Sequence, residues 1–291
     1  MPASQKANMA TNLKQNLGLI SLVVVYWSIA FLGSWAWLGV SSETVRIVLG
    51  VTLFAFALVH GVKRYGWNTM LMWFGITFFI SWAAEALSIA MGFPFGGYHY
   101  TDLLGVKIGP VPLPIMPAYF MTGYLAWTMA TTFFGNLSTG IEKRNLVLLP
   151  FVASFIMVMW DFCFDPIKST IERAWIWEEG GAYHGVPVTN YLGWFLTVFL
   201  IYLTFALYLY RFGASQRVEQ SRTYWVLAPV MYLGVALEFL VYPFSKSSNM
   251  EIYWSIFLGT IFTMVFVSIL NIILVSRMDG ECFGAKPRGE G

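Results

Sequence analysis

The chain has 291 residues, of which 58% are hydrophobic and only 11% are charged. Soluble domains carry about 25% charged residues, so this composition excludes an ordinary soluble protein and favours a membrane protein. A net charge of +2, with basic residues scattered along the chain, also argues against a nucleic-acid partner. Two cysteines, Cys163 and Cys282, have no metal-ligand spacing and are expected to be free thiols.

Eight apolar runs of about 20 residues are each long enough to cross a bilayer as a helix. We therefore predict an all-α, polytopic integral membrane protein that forms one transmembrane helical domain over residues 1–291, with short tails at about 1–16 and 277–291. The first run is too long for the apolar core of a signal peptide. The predicted spans are 17–38, 45–62, 71–91, 115–135, 145–165, 191–211, 224–243 and 252–275.

The basic residues predict the orientation of these spans. Twelve of the 17 Lys and Arg residues fall in the two termini and in the loops after spans two, four and six. Because basic residues favour cytoplasmic loops, both termini are predicted to be cytoplasmic, which agrees with an even number of spans. The expected location is the cell (inner) membrane. The two longest loops, 92–114 and 166–190, then lie on the outer side.

Four acidic residues interrupt the apolar runs, and all four fall in the predicted outer half of the membrane. Glu85 lies in the third span, Asp161 and Asp165 in the fifth, and Glu238 in the seventh. A carboxylate in a bilayer core costs roughly 2.5–3.5 kcal/mol on insertion scales, so an acid inside a membrane is a candidate functional residue. We therefore predict that these four residues form the catalytic site.

Glu85 shares a helix face with Ser81 and Ser88. A carboxylic acid in an apolar pocket can stay protonated near neutral pH and then act as a proton donor. The alternative is a structural role, in which Glu85 hydrogen-bonds a neighbouring helix. We favour the proton donor, because a Gln or Ser would lock the helices together at a lower desolvation cost.

Asp161 and Asp165 lie one helical turn apart, and three interpretations remain open. Two carboxyl groups that share a site can divide into one acid and one base. They could instead hold Mg²⁺ and a diphosphate, although the chain has no second Asp-rich motif and no basic cluster in the outer loops. Asp165 could also cap the segment that follows Pro166, where the helix is expected to end. We predict no metal site and no cofactor.

Aromatic and polar residues near the acids are the candidates for substrate binding. Aromatic ring faces can stabilise a cation, and Asn190 precedes the sixth span. An apolar stripe through Ile167, Ile171 and Trp175 predicts an amphipathic segment that lies flat over the site as a lid. The predicted substrate-binding residues are Trp82, Tyr98, His99, Tyr100, Trp160 and Asn190.

Several short motifs resemble those of the membrane-embedded carotenoid biosynthesis family. The resemblance covers about residues 15–275, and its most specific part is GVPVTNYLGW at 185–194. Known members of that family include hydratases of acyclic carotenoid end groups. The other matching positions are Glu85, FGGYHY at 95–100, GPVPLPI at 109–115, Asp161, the Asp165 and Pro166 pair, and WIW at 175–177.

The resemblance implies an enzyme that adds water across the terminal C=C bond of an acyclic, ψ-type carotenoid end. A carboxylic acid would protonate the CH carbon, and a carboxylate would help water to capture the tertiary cation. We expect Glu85 to donate the proton, Asp161 and Asp165 to activate water, and Glu238 to assist. No cofactor is implied. The substrate would enter laterally from the membrane lipids, and other carotenoid-pathway enzymes are expected partners.

Two alternatives remain at this point. A carotenoid cyclase begins with the same protonation but lets a neighbouring alkene capture the cation, which leaves the mass of the pigment unchanged. A proton-coupled transporter could use the acids as a relay. That relay should cross the midplane of the membrane, whereas the four acids gather on one side of it.

Overall fold

A computed structural model of the chain describes residues 3–214, 220–278 and 283, and most of these residues are helical. This architecture confirms the predicted all-α fold. Cys163 is a buried free thiol, and Cys282 lies outside the described residues, as does most of the predicted tail at 277–291. The helices are α1 (Ala3–Ser34), α2 (Ser42–Tyr65), α3 (Trp67–Met91), α4 (Ile115–Phe133), α5 (Asn145–Asp165), α6 (Val188–Phe212), α7 (Arg222–Ser245), α8 (Met250–Thr260) and α9 (Phe266–Arg277).

Within the described ranges, seven helical stretches are long and apolar enough to cross a membrane, which confirms a polytopic architecture. A helix forms at each of the eight predicted spans, and the last is α8 and α9 joined by a π-helical turn, Ile261–Val265. The predicted span at 115–135 forms α4, which is not among the seven. Most of α4 is buried against α2, α3, α5, α7 and α9. It therefore carries Thr and Tyr residues that a helix facing lipid would not.

The end of α5 differs from the prediction. The α-helix does end at Asp165, but the chain continues through Pro166 as a π-helical turn, Pro166–Ile171, instead of an amphipathic lid. Proline lacks the N–H that would continue the α-helical hydrogen bonds. The apolar side chains of Ile167 and Trp175 are 3% and 8% exposed, so they face into the protein and do not lie on an interface.

The two long loops pair with each other over the same end of the helical bundle, which we call the loop face. Strand β1 (Tyr98–Tyr100) runs antiparallel to β4 (Trp175–Trp177). A short hairpin of β2 (Lys107–Ile108) and β3 (Val111–Pro112) lies between them in sequence. Side chains alternate between the two faces of a strand, so the outer residues of β1 and β4 point towards the helices and the central ones point away.

A close approach between α6 and the first long loop fixes the start of α6. A Cβ atom on Gly193 would lie 2.5 Å from the carbonyl oxygen of Pro94, which is closer than real Cβ contacts allow. Only glycine therefore permits this packing. The contact lies in the GVPVTNYLGW motif, and it positions Asn190, one helical turn earlier, beneath the loop face.

Candidate active site

One cavity of about 1250 Å³ opens below the loop face, and all four predicted acids line it. Drug-sized ligands occupy pockets of about 300–1,000 Å³, so this cavity can hold a longer molecule. Of the predicted substrate-binding residues, Tyr98, Tyr100, Trp160 and Asn190 line it as well. Its walls come from α1, α2, α4, α5, α6 and α7 together with the two long loops, and α3 contributes Glu85.

Glu85 is 4% exposed and accepts hydrogen bonds from three tyrosine hydroxyls. Tyr98 and Tyr100 donate to its Oε2 atom, the latter at 2.8 Å, and Tyr119 donates to Oε1 at 3.0 Å. The alternation of β1 brings two of these hydroxyls to the carboxyl group from above. Both oxygens of Glu85 are therefore held by protein donors.

The side-chain amide of Asn190 hydrogen-bonds both Asp161 and Asp165. The Nδ2 atom of Asn190 donates to Asp161 Oδ2 at 3.0 Å and to Asp165 Oδ2 at 2.8 Å. The indole N–H groups of Trp175 and Trp177, on β4, donate to Asp165 Oδ1 at 3.1 and 3.3 Å. Both aspartates are 1% exposed, so the loops and α6 together complete this pair. We call Glu85, Asp161, Asp165 and Asn190 the acid site.

One oxygen of the acid site differs from the others. Among the described residues, Asp161 Oδ1 has no hydrogen-bond donor, whereas both oxygens of Glu85 and of Asp165 have at least one. Nor does a Lys, Arg or His of the described ranges form an ion pair with these three acids. Since Asp161 lines the cavity, its free oxygen is the atom best placed to meet a ligand.

Glu238 lines the same cavity but belongs to a different set of contacts. The Tyr26 hydroxyl donates to Glu238 Oε1 at 2.6 Å. Close to this pair, Glu172 accepts from Lys168 at 2.8 Å and lies 3.5 Å from Arg46. Glu238 thus lies apart from the other three acids, because α7 carries it to the side of the cavity next to α1 and α2. We call these five residues the second polar group.

Two predicted substrate-binding residues lie away from the cavity. His99 is the central, outward-facing residue of β1 and is exposed. Trp82 donates its indole N–H to the Ile108 carbonyl at 2.9 Å, so it supports the hairpin of β2 and β3. The Tyr-His-Tyr alternation of a strand could have placed His99 on the outer face, but no local pattern gives the contact of Trp82.

Sequence reasoning missed four aromatic residues that build the site. Trp194 stacks on Tyr119 with ring centroids 4.3 Å apart, and both rings line the cavity beside Trp160. The indoles of Trp175 and Trp177 line it too. The WIW sequence of β4 could have indicated that Trp175 and Trp177 face the site together, since a strand presents its first and third residues on one face.

The loop tyrosines stay protonated as hydrogen-bond donors. Burial raises the pKa of Tyr98 and of Tyr100 well above the ordinary tyrosine value, and the nearby Glu85 carboxyl group raises both further. These two side chains therefore remain neutral hydroxyl groups, which can relay a proton. Among the described residues, no group of three or more His, Cys, Asp or Glu side chains is arranged to hold a metal ion.

Comparisons with known proteins point to one family. The family model described as carotenoid biosynthesis protein matches residues 42–266, which include the acid site and the second polar group except Tyr26. The chain is 29% identical over 140 residues to bisanhydrobacterioruberin hydratase of Haloarcula japonica. That match covers 48% of this chain and 45% of the relative, so the chain spans less than half of the relative's length. No solved structure matches.

Proposed function

The chain belongs to the carotenoid biosynthesis protein family, and from this premise we propose that it is a carotenoid hydratase. It adds water to the terminal double bond of an acyclic, ψ-type end group. The observation that carries the proposal is the acid site itself. Three buried carboxyl groups face a long, largely apolar cavity, and one of their oxygens has no protein partner in the described part of the chain.

Hydration of an alkene matches this arrangement of groups. The reaction needs an acid that protonates the CH carbon and a base that takes a proton from the water that captures the tertiary cation. Two kinds of carboxyl group are available: that of Asp161 has a free oxygen, and that of Glu85 is surrounded by tyrosine hydroxyls. The proton that enters the product and the proton that leaves the water balance, and the proton gained by the base returns to the acid before the next turnover. Each turnover therefore consumes only the alkene and one water.

The hydrogen bonds favour a different division of roles from the one expected from sequence. Asp161 donates the proton through Oδ1, because a proton donor needs an oxygen that the substrate carbon can approach. Glu85 takes the proton of the attacking water, directly or through a tyrosine hydroxyl. Both oxygens of Asp165 are occupied, because they accept hydrogen bonds from Asn190 and from two indoles. Asp165 therefore does not react but positions Asn190, which in turn positions Asp161.

The aromatic wall has a role in the same reaction. The tertiary carbocation is a cation without hydrogen-bond donors, and the faces of Trp and Tyr rings attract such a charge within about 6 Å. Trp160, Trp194 and Tyr119 provide ring surfaces beside the acid site. They also keep bulk water away from the cation until one water adds.

The polyene reaches the cavity from the lipid phase of the membrane, which we propose to be the cell (inner) membrane. Exposed apolar residues line the cavity mouth on both sides: Ile47 and Val51 on α2 are 58% and 64% exposed, and Leu103 of the first long loop is 67% exposed. Glu43 and Asp102 are exposed at the same rim, so the rim between α2 and the loop combines a few charged groups with an apolar surface that suits a lipid-soluble substrate. Other carotenoid-pathway enzymes could deliver that substrate to the same rim.

Mass analysis of pigments tests the proposal. Lycopene-producing cells that contain the protein should accumulate a pigment heavier by the mass of one water for each modified end, whereas cells without it should not. A new pigment of unchanged mass would instead favour the cyclase. Unchanged pigments together with uptake driven by a pH gradient would favour the proton-coupled transporter.

A further inference from the structure

A second, smaller cavity of about 270 Å³ lies beside the large one at the loop face. It is surrounded by the ends of helices: the last turn of α1, the first turns of α2, the end of α7 and the start of α8. Charged and hydroxyl groups make up much of its wall, whereas Ile47, Val51 and Leu103 expose apolar side chains at the mouth of the large cavity. Its polar lining consists of Ser34, Ser42, Arg46, Glu172, Glu238, Tyr242, Lys246 and Tyr253.

The two cavities meet at the second polar group. Arg46, Glu172 and Glu238 line both of them. Lys168 lines the large cavity and donates to Glu172 at 2.8 Å. At the outer rim, Lys246 and Ser42 are exposed. A continuous series of polar side chains therefore runs from the protein surface to the wall of the large cavity.

On the basis of the proposed function, we propose that the small cavity is the route by which water reaches the acid site. Water is a substrate of the hydration, and one molecule must enter for every product formed. During a turnover the polyene occupies the mouth of the large cavity between α2 and the first long loop, so a separate entrance would let water reach the acid site at the same time. A liquid water molecule occupies about 30 Å³ and needs two to four polar partners, so a polar cavity of 270 Å³ can hold several.

Glu238 and Tyr26 stand at the inner end of this route. Their hydrogen bond of 2.6 Å joins α7 to α1, and Glu238 keeps a second carboxyl oxygen for water. This placement explains a half-buried acid that takes no part in the acid site. Glu238 is thus a positioning residue for water and not the proton donor.

Cysteine accessibility tests the route. Ser34 lines the small cavity, and its hydroxyl donates to the Ala30 carbonyl of its own helix and to no other group of the described ranges. Ser28, on the same helix, makes the same kind of bond to Val24 but is exposed on the helix surface and lines neither cavity. Ser34→Cys and Ser28→Cys are compared in a Cys282→Ser background, in which Cys163 is buried. Membranes are treated with a charged, membrane-impermeant methanethiosulfonate.

We expect the charged reagent to modify Ser34→Cys and to lower its hydrate formation about tenfold or more, while Ser28→Cys is neither modified nor inhibited. A maleimide added after the membranes are dissolved in denaturing detergent should modify both variants, which shows that each protein and its cysteine are present. Absence of modification of Ser34→Cys by the charged reagent would overturn the route. Modification without loss of hydration would also overturn it, because a blocked route must slow the reaction. A wild-type protein that forms no hydrate would instead contradict the proposed function.

Discussion

Buried polar groups occupy both ends of the helical bundle, and the two ends differ in how those groups are satisfied. At the end opposite the loop face, α2 buries His60 and Arg64, which are 0% and 1% exposed. The His60 ring bonds the Tyr124 hydroxyl at 2.7 Å and the Tyr224 carbonyl at 3.1 Å. Neither cavity reaches this pair. At the loop face, by contrast, the acid site lines the large cavity.

Arg64 shows what a purely structural charge looks like. Its guanidinium lies between the rings of Tyr65 and Trp225, 4.6 Å from each centroid. It donates to the carbonyls of Asn136 and Ser138, both at 3.1 Å. Backbone carbonyls and ring faces are permanent partners, so this charge stabilises the turn after α4. Its Nε–H has no hydrogen-bond partner among the described residues, but that atom is buried and Arg64 lines neither cavity.

The comparison teaches that burial alone does not mark a functional residue. Both ends contain ionisable groups taken out of water at considerable cost. The distinguishing feature is an oxygen that faces a cavity and has no donor in the described ranges, which Asp161 has. Function is therefore expected where the protein holds a polar group in position but leaves one of its atoms for another molecule.

The largest effect that would test this comparison is expected from Asp161→Asn. The substitution keeps the shape of the side chain but removes the acidic proton, and general acid catalysis contributes typically 10²–10⁴-fold. We expect hydrate formation to fall by about that factor, measured as product per amount of folded protein in isolated membranes. Asp102→Asn is the matched control, because the Asp102 side chain is fully exposed at the rim. Undiminished hydration in Asp161→Asn would remove Asp161 from the mechanism.

A smaller effect is expected from filling the large cavity without touching the acids. Gly50 lines the cavity, and a Cβ atom there would meet no other atom within 4 Å. Gly50→Leu should therefore fold normally and block the polyene, with hydrate formation reduced about tenfold or more. Gly75 also has open space around its Cα but lies outside the cavity, so Gly75→Leu should hydrate at the wild-type rate. Equal rates for both variants would contradict the entry path along α2.

The sequence allowed the helical fold and most of the acid site to be predicted, because both depend on local patterns. Apolar runs give the helices, and an acid inside such a run is conspicuous in any chain. The division between Glu238 and the other three acids was not predictable, since it depends on which helices α7 packs against. The pairing of β1 with β4 joins residues more than seventy positions apart, and only that pairing brings Trp175 and Trp177 to Asp165.

Arg64, at the end of the bundle opposite the loop face, is a second residue whose surroundings could not be predicted from the sequence. In the sequence it follows Lys63 at the end of an apolar run, where a basic residue predicts a cytoplasmic loop. The structure instead buries it inside the bundle. Its partners, Trp225 and the carbonyls of the turn after α4, come from distant parts of the chain. No periodicity within α2 separates a charge in a loop from one that is enclosed by other helices.

The smallest effect on catalysis is therefore expected from Arg64→Met. Loss of the guanidinium removes its hydrogen bonds to the Asn136 and Ser138 carbonyls, and a hydrogen bond to a charged group contributes about 1.5–3 kcal/mol, so the protein should denature at a lower temperature in detergent. Hydrate formation per folded molecule should stay at the wild-type value, because the cavity and the acid site are unchanged. Arg144→Met is the control for stability, since the Arg144 side chain is 77% exposed and its ion pair with Glu142 contributes little. If folded Arg64→Met protein lost hydration as completely as Asp161→Asn, the buried charge would belong to the catalytic machinery, and the contrast between the two ends of the bundle would fail.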